Sequence, residues 1–415
     1  MSSLDLARAQ MQHTIDKGRA SAAAVLEHVH TKIPSDSVAR GRALGFRFAA
    51  PGTLDTVHLQ DAAGMTDERG ESVIINACLD QNASQTEPDP THVPQLLLDV
   101  ADQTSVSLHR HALGQMCVKG NIPTKYLREL VGSPNQALRE AGLMLLRVHY
   151  GDTERSDGRY LLRSVDGELR GFLSDRYRRL DSRPLLETFA ASCASLGAVP
   201  VEGTVGSTRI AMKAYMPVVY EPIPGEFVLI GLEWANSDFG NGTHSLRISL
   251  LRLWCTNGCT FQDAIRDIHL GRRLDDDVAY SQRTYDLDTE AARSVMGDVI
   301  AHHLSPDAID KTMSAIGAAH ETTISRDSFA KTVRKALGKG DSLRVLDAFD
   351  NDNDVEHLPT GGPTLWRASN ALSWIAGQTQ DGDRSLAMNR MAGKLIEDHL
   401  GSVTSVAAKS SVRAA

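Results

Sequence analysis

Apolar side chains recur every three or four residues through the first 31 residues of this 415-residue chain. That spacing is typical of an amphipathic helix, and Pro34 marks its end. The same spacing returns over residues 105–149 and 184–196 and dominates beyond Phe261. The pattern therefore predicts helices along much of the chain, above all in its C-terminal part.

Short runs of β-branched, leucine and aromatic residues favour strands in the middle of the chain. Residues 160–165 and 168–173 flank an Asp-Gly pair, which is a strong hairpin signal because both turn residues tolerate a positive φ. Residues 199–219 and 227–234 are predicted to be further strands. Residues 245–254 fit a strand or a helix equally well, since periodicity alone does not separate the two.

Together these patterns predict an α+β fold, in which helices flank an antiparallel sheet made of the hairpin and the strands of residues 201–234. A polar run with three prolines, residues 80–94, separates an N-terminal region from the rest. The predicted parts are an N-terminal region of unclear role (1–94), a core (95–380), and a C-terminal helix end with a disordered tail (381–415). Within the core, residues 105–260 mix helices with strands, and residues 261–380 are mainly helical.

The charge of the chain argues against a general binder of polyanions and allows a local basic surface. The chain carries 44 basic and 52 acidic residues, a net charge of -8, whereas domains that bind nucleic acid unspecifically are usually basic. Residues 1–100 hold 8 basic and 13 acidic side chains, and residues 104–183 hold 14 basic and 9 acidic ones. The middle of the chain is therefore its electropositive part.

The sequence also limits the cellular compartments in which the protein is expected. The first residues lack the apolar core of a signal peptide, and no window approaches the roughly 18 apolar residues that a membrane span needs. The five cysteines are odd in number and widely spaced, which disfavours a disulfide framework. We expect a cytoplasmic protein that makes no membrane contact.

The most unusual segment runs from Arg155 to Arg183 and contains eight arginines and no lysine. Planar guanidinium groups suit phosphate and carboxylate recognition. Strand alternation predicts one basic face and one core face for the hairpin, with Arg159, Leu161 and Arg163 on the first and Tyr160 and Leu162 on the second. The arginines that follow surround a tyrosine, a combination that tracks a phosphate backbone and stacks bases. The predicted nucleic-acid contacts are Arg163, Arg170, Arg176, Tyr177, Arg178 and Arg179.

The same arginines have a second interpretation as a solvated ion-pair network. Carboxylates are interleaved with them, and surface pairing is the usual fate of interleaved charges. Over residues 174–181, however, the arginines outnumber the local carboxylates, so at least one guanidinium is expected to lack an intrachain partner. The interleaved carboxylates are Asp157, Asp166, Glu168, Asp175 and Asp181.

Four phrases resemble, in order and spacing, a phage- and plasmid-encoded family of unknown function. They are HALGQM (111–116), GRYLLRSVDGELRGFLSDRYRRLDSRPLLETF (158–189), LLRLWCTNGCTF (250–261) and TLWRASNALSWIA (364–376). The resemblance covers roughly residues 105–380. It implies a mobile-element setting in a bacterial host, near genes of DNA metabolism, and it supplies no catalytic residues.

Established catalytic and cofactor motifs are absent from the sequence. It contains no phosphate-binding G-x-x-x-x-G-K-[ST] loop and no G-x-S-x-G elbow. Cys255 and Cys259 lack the second ligand pair of a structural zinc site. The acidic runs Asp275–Asp277 and Asn351–Asp354 lack the calcium-loop pattern. We therefore expect no cofactor, no bound metal and no catalytic residue.

The leading hypothesis is a non-enzymatic, oligomeric protein that binds single-stranded DNA, with annealing as a further role, in replication or recombination of a phage or plasmid. The order of hairpins and helix is similar to that of phage single-strand annealing proteins, an analogy of fold alone. Two other functions stay open. One is an accessory protein whose arginines contact an acidic partner. The other is a metal-dependent nuclease that uses Asp275–Asp277.

Overall fold

The computed structural model gives the arrangement of most of the chain. It describes residues 2–49, 95–100, 105–150, 158–253, 257–267, 281–351, 362–379, 384–385 and 387–398, with the backbone alone for 257–267. Five features singled out in the sequence lie outside these residues: the polar run 80–94, residues 155–157 of the arginine-rich segment, Cys255, the acidic run Asp275–Asp277 and the tail beyond residue 398. Of the run Asn351–Asp354, only Asn351 lies within them.

Helices form the N-terminus and most of the described chain beyond residue 281. They are α1 (Ser3–Thr31), α2 (Arg110–Lys119), α3 (Thr124–Val131), α4 (Gln136–His149), α5 (Ser182–Ser195), α6 (Gln282–His303), α7 (Pro306–Glu321), α8 (Arg326–Ala336), α9 (Lys339–Asp350) and α10 (Leu365–Gly377). Residues 387–398 are also helical. The helices predicted from apolar spacing are therefore confirmed in the main, α1 almost to the residue. The exceptions are Val106–Leu108 and Asn257–Asp267, which are strands although all or part of each falls in a run predicted to be helical.

The start of α1 illustrates how the sequence sets these boundaries. The hydroxyl of Ser2 accepts a hydrogen bond from the Asp5 N–H at 3.2 Å, and the Asp5 carboxylate accepts one from the Ser2 N–H at 3.0 Å. This reciprocal capping satisfies two backbone donors that a helix start otherwise leaves unpaired. It also places a carboxylate at the positive end of the helix dipole.

The first sheet contains the predicted hairpin. Its strands are β1 (Ser35–Arg40), β2 (Leu44–Phe48), β3 (Leu96–Val100), β4 (Val106–Leu108), β5 (Arg159–Val165) and β6 (Glu168–Ser174), in the order β1-β5-β6-β4-β3-β2. All pairs are antiparallel except β4 with β6. Between β5 and β6, Asp166 and Gly167 have φ values of 51° and 76°, the backbone that a two-residue hairpin turn requires.

The second sheet lies between the hairpin and the C-terminal helices in sequence. Its strands are β7 (Val199–Val205), β8 (Ile210–Tyr215), β9 (Tyr220–Ile223), β10 (Glu226–Asn236), β11 (His244–Arg252) and β12 (Asn257–Asp267). The path is β12-β11-β10-β8-β7, with β9 also paired to β10. The ambiguous run at residues 245–254 is thus mainly a strand.

The α+β prediction is confirmed, but the prediction of one sheet shared by the hairpin and the later strands is wrong. Both edges of β10 are taken, by β8 and β11, whereas the hairpin strands pair with β1 and β4. The boundary expected near residue 94 falls between β2 and β3, which pair with each other. Among the described residues, no helix combines the length and apolarity needed to cross a bilayer.

Three clusters of buried side chains join the helices to the two sheets. Helices α2 to α4 pack on the first sheet around Leu143 and Phe172. Helices α5 to α10 cover one face of the second sheet, where Trp234 and Trp366 are buried. The N-terminal half of α1 covers part of the other face, near Tyr215. Because the second sheet is covered on both sides, every residue of β10 and β11 is buried.

A row of alternating charge crosses the face of the second sheet that carries Tyr215. Lys213 lies opposite Glu233 in the β8–β10 register, and Glu233 lies opposite Arg247 in the β10–β11 register. Lys213 Nζ is 2.8 Å from Glu202 on β7, and Arg247 is 3.8 Å from Glu233. Burial lowers the pKa of Lys213, but the facing carboxylates outweigh it and raise that pKa. Cross-strand charge complementarity therefore adds to the hydrophobic pattern that sets the register of these strands.

Candidate functional site

Three of the predicted site residues, Arg163, Tyr177 and Arg179, meet at a polar centre built on Arg163 of β5. Its Nε–H donates to Asp36 Oδ1 at 2.7 Å, and its Nη2 donates to Asp181 Oδ1 at 2.7 Å. Its Nη1 donates to the backbone carbonyl of Asp238 at 2.9 Å. The side chain is 2% exposed. A buried guanidinium with three acceptors is a structural group, because its desolvation is offset only while all three remain in place.

Different parts of the fold supply these three acceptors. Asp36 lies on β1, directly opposite Arg163 in the register. Asp181 is the residue before α5, and Asp238 lies in the loop that follows β10. Arg163 therefore ties the first sheet to the start of α5 and to the second sheet.

The loop after β10 completes this centre. Asp238 Oδ1 accepts hydrogen bonds from the N–H and the hydroxyl of Ser182, at 2.8 and 2.7 Å. The side-chain amide of Asn236 donates to Ser182 Oγ at 3.0 Å and to the Leu180 carbonyl at 2.7 Å. Burial raises the pKa of Asp238 to about 6, although the Arg163 charge acts in the opposite direction.

Tyr177 belongs to the same assembly and is not available to stack on a base. Its hydroxyl donates to the Ser237 carbonyl at 3.1 Å, and the residue is 7% exposed. Its ring packs with Leu161 and Leu173 of the hairpin. The opposite face of the hairpin, with Leu162, packs against the helices on the first sheet. The prediction of an exposed basic face is therefore wrong, since both faces of the hairpin are covered.

Three more of the predicted arginines contact other parts of the chain. Arg170 donates to Glu168 at 2.8 Å and to the Ser207 carbonyl at 3.1 Å. Arg178 binds Asp288 of α6 with two hydrogen bonds, at 2.6 and 2.7 Å. Arg179 lies 3.1 Å from Asp36, and its guanidinium carbon is 4.8 Å from the centre of the Tyr285 ring.

Arg176 differs from the other predicted contacts because its side chain is exposed. Within the described residues, it makes no ion pair or hydrogen bond through its side chain. The expectation that one guanidinium of this stretch lacks an intrachain partner therefore fits Arg176. The ion-pair interpretation describes Arg163, Arg170, Arg178 and Arg179.

A cleft with a volume of about 560 Å³ opens between this centre and α6. It is large enough for a small molecule, but its charges are mixed. Its carboxylates are Asp36, Asp181, Asp286 and Glu290, and its guanidiniums are Arg163, Arg179 and Arg293. Each of these guanidiniums already contacts an oxygen of the protein. The cleft therefore offers no excess positive charge to a phosphate backbone.

A basic surface that no described carboxylate neutralises lies elsewhere, where α8 meets α9, and we call it the basic ridge. Lys331, Arg334 and Lys335 share one exposed side of α8, since residues three and four apart are neighbours on a helix. Lys339 follows as the first residue of α9 and is also exposed. None of these four side chains makes an ion pair or hydrogen bond with the described residues. The opposite side of α8 is apolar and buried, with Phe329, Ala330 and Val333.

Two further arginines extend the basic character of the ridge. Arg344 and Arg384 both contact the carboxylate of Asp341 in the first turn of α9. One buried carboxylate thus contacts two guanidiniums. The two arginines are each about half exposed. The ridge and its neighbours therefore carry more positive than negative charge.

Sequence reasoning missed the ridge, although a local signal was present. The 13 residues 328–340 contain four basic and no acidic residues. The arginine-rich segment drew attention because it has more arginines, but its carboxylates are interleaved. Counting charges without their possible partners favoured a segment whose arginines are mostly paired.

The described residues also limit the chemistry of the molecule. Among them, no group of three or more histidine, cysteine, aspartate or glutamate side chains is placed to hold a metal ion. Cys117 and Cys193 are buried thiols, and burial raises the pKa of both, so neither resembles an activated nucleophile. The nuclease hypothesis rests on Asp275–Asp277, outside the described residues, and stays a prediction.

Comparisons with known proteins add no relative to this picture. No family model, no curated protein and no solved structure matches the chain.

Proposed function

We propose that this chain is a non-enzymatic protein that binds single-stranded nucleic acid through the basic ridge, in the cytoplasm of a phage- or plasmid-bearing bacterium. The observation that carries the proposal is the four exposed cations Lys331, Arg334, Lys335 and Lys339, whose charge no described carboxylate neutralises. Such cations displace the counterions condensed on a phosphate backbone, and this release drives association.

The ridge fits a phosphate backbone better than the predicted arginine segment does. Binding a phosphate at Arg163 or Arg178 would require breaking an existing ion pair with a carboxylate. At the ridge, by contrast, only water and mobile ions must leave. Lysines bind phosphates as point charges, so we expect affinity that depends little on base sequence.

The single-stranded form of the ligand is the finer part of the proposal. It is supported by the resemblance to a phage- and plasmid-encoded family, which implies a setting near genes of DNA metabolism. The ridge cations themselves would contact any phosphate backbone, so duplex DNA and RNA are the necessary competitors.

Charge reversal at the ridge tests the proposal. We expect Lys331→Glu, Arg334→Glu and Lys335→Glu together to lower the affinity for a labelled single strand by at least about tenfold at low salt. The matched control reverses three exposed cations of α1: Arg8→Glu, Lys17→Glu and Arg19→Glu. Both triple variants change the net charge equally, so only a local effect separates them.

Fluorescence anisotropy with single-stranded DNA, duplex DNA and RNA at several salt concentrations provides the measurement. Loss in the ridge variant and retention in the α1 variant support the proposal. Equal losses in both variants would mean that only the overall charge matters. Undetectable binding of the unmodified protein at about 50 mM salt, where phosphate contacts are strong, would exclude nucleic acid as the ligand.

An acidic protein surface is the second candidate ligand for the ridge. None of the four ridge residues is aromatic, so base stacking contributes nothing there, and carboxylates of a partner could replace phosphates. Co-purification from host extract with and without nuclease separates the two, because a nucleic-acid bridge disappears on digestion whereas a direct protein contact remains.

A further inference from the structure

Helix α4 has an apolar stripe on the side that faces away from the molecule. Ala137, Ala141, Met144 and Val148 are spaced by four, three and four residues, which places them on one side of a helix. All four are exposed, Met144 by 66% and Val148 by 55%. The buried side, with Gly142, Leu143 and Leu146, lies opposite and packs on the first sheet and α3.

The two borders of this stripe differ in character. Leu138 and Leu145 lie along one border, and Leu138 is 45% exposed. Glu140 and Arg147 lie along the other border, seven residues apart, and both are exposed. Glu140 makes no side-chain ion pair with the described residues, and Arg147 uses one nitrogen, Nη2, to donate to the Phe46 carbonyl at 2.9 Å.

We propose that this stripe binds the same stripe of a second copy of the chain, with the two α4 helices antiparallel about a two-fold axis. In this register Ala137 of one copy packs against Val148 of the other, and Ala141 packs against Met144. Each layer then combines a small side chain with a large one. A closed two-fold contact of this kind is the commonest form of homo-oligomer interface.

Charge complementarity favours a second copy of the chain as the partner and an antiparallel orientation of the two α4 helices. In an antiparallel helix pair, the flanking positions on the same border face each other across the contact. Glu140 of each copy therefore meets Arg147 of the other, giving two ion pairs, and Leu138 meets Leu145 along the other border. A parallel pair would place Glu140 next to Leu145 and would leave the charges unpaired. The pattern is thus self-complementary in one orientation.

The expected interface is small. Helix α4 has 14 residues, about 21 Å of helix, and a contact of this length buries less than the roughly 800 Å² per partner of standard stable complexes. We expect a dimer that dissociates in the micromolar range. The inference is independent of the proposed function, since it rests on a different surface.

A charge-swap series measured by sedimentation equilibrium, on nuclease-treated protein, tests the proposal. We expect Glu140→Arg to weaken the dimer by at least about tenfold, because two like charges then face each other. The double variant Glu140→Arg with Arg147→Glu restores opposite charges and should recover the dimer. Met144→Asp should abolish it, because a carboxylate replaces the central apolar contact.

The controls separate association from folding. Leu343→Asp changes an exposed leucine of α9 and should leave the dimer intact, and thermal melting checks that each variant folds. A chain that stays monomeric up to its solubility limit overturns the proposal. So does a dimer that survives both Glu140→Arg and Met144→Asp, since its interface must then lie elsewhere.

Discussion

The arginine-rich segment, residues 155–183, and the basic ridge at α8 and α9 are both rich in positive charge, but they differ in what surrounds that charge. In the segment, Arg163, Arg178 and Arg179 contact carboxylates. In the ridge, Lys331 and Arg334 face water. A cation that a carboxylate already neutralises stabilises the fold, whereas an unneutralised cation can bind an anion from outside. The number of charges is therefore a poorer guide to function than their pairing.

Two of the carboxylates that pair with the segment come from distant parts of the sequence. Asp36 lies 127 residues from Arg163, and Asp288 lies 110 residues from Arg178. No local count of charges could include them, because they meet the arginines only after the two sheets and α6 have packed. The ridge, in contrast, is made by one helix and the first residue of the next, so its charge could be read locally.

The largest effect expected in this comparison is the loss of folding stability when Arg163 is replaced. We expect Arg163→Met to lower the free energy of unfolding by about 3 kcal/mol, because it leaves two carboxylates and a carbonyl without their shared donor. This loss is at the low end for a buried ion pair, since Asp181 is 45% exposed and can be hydrated. Urea denaturation measures the change. Arg176→Met is the matched control, and an equal loss in both variants would contradict a structural role for Arg163.

A smaller effect is expected from Asp238 and depends on pH. Its pKa is raised from 3.8 to about 6 in the folded protein, so folding favours the protonated form. Protonated Asp238 therefore stabilises the folded protein by on the order of 2 kcal/mol. This stabilisation is fully present below about pH 4 and is lost as the pH rises through about 6. Asp238→Asn keeps an oxygen for Ser182 and cannot ionise.

Melting temperatures of the unmodified protein and the Asp238→Asn variant, measured from pH 4 to pH 7, show this effect as a difference. Other carboxylates titrate in both proteins and cancel. The unmodified protein should lose stability relative to the variant as the pH rises. A difference that stays constant over this range would mean that Asp238 ionises normally in the folded state.

The sequence predicted local structure better than it predicted long-range arrangement. The hairpin followed from one Asp-Gly pair, and α1 and α4 followed from apolar spacing, because each depends on neighbours in the chain. The separation into two sheets did not follow, since it depends on which strands take the edges of β10 and on the pairing of β5 with β1, more than 100 residues earlier. The register of Lys213, Glu233 and Arg247 could likewise not be predicted without that pairing.

The predicted exposure of the arginine-rich segment was wrong for a related reason. Alternation along β5 correctly separated the side of Leu161 and Arg163 from that of Tyr160 and Leu162. It did not show that the loop after β10 would cover the arginine side. Strand periodicity tells which side a residue lies on, but solvent exposure depends on what packs there. Arg176, at the turn beyond β6, stays exposed because no other element reaches it within the described residues.

The salt dependence of single-strand binding tests the central claim most directly, with two variants of equal charge change. Lys331→Gln with Lys335→Gln alters the ridge, and Arg178→Gln with Arg179→Gln alters the segment. If the ridge contacts phosphates, its variant should reduce the slope of log affinity against log salt by about 1.4, at about 0.7 per lost contact, and the segment variant should leave the slope unchanged. A slope that falls in the segment variant and not in the ridge variant would contradict the account.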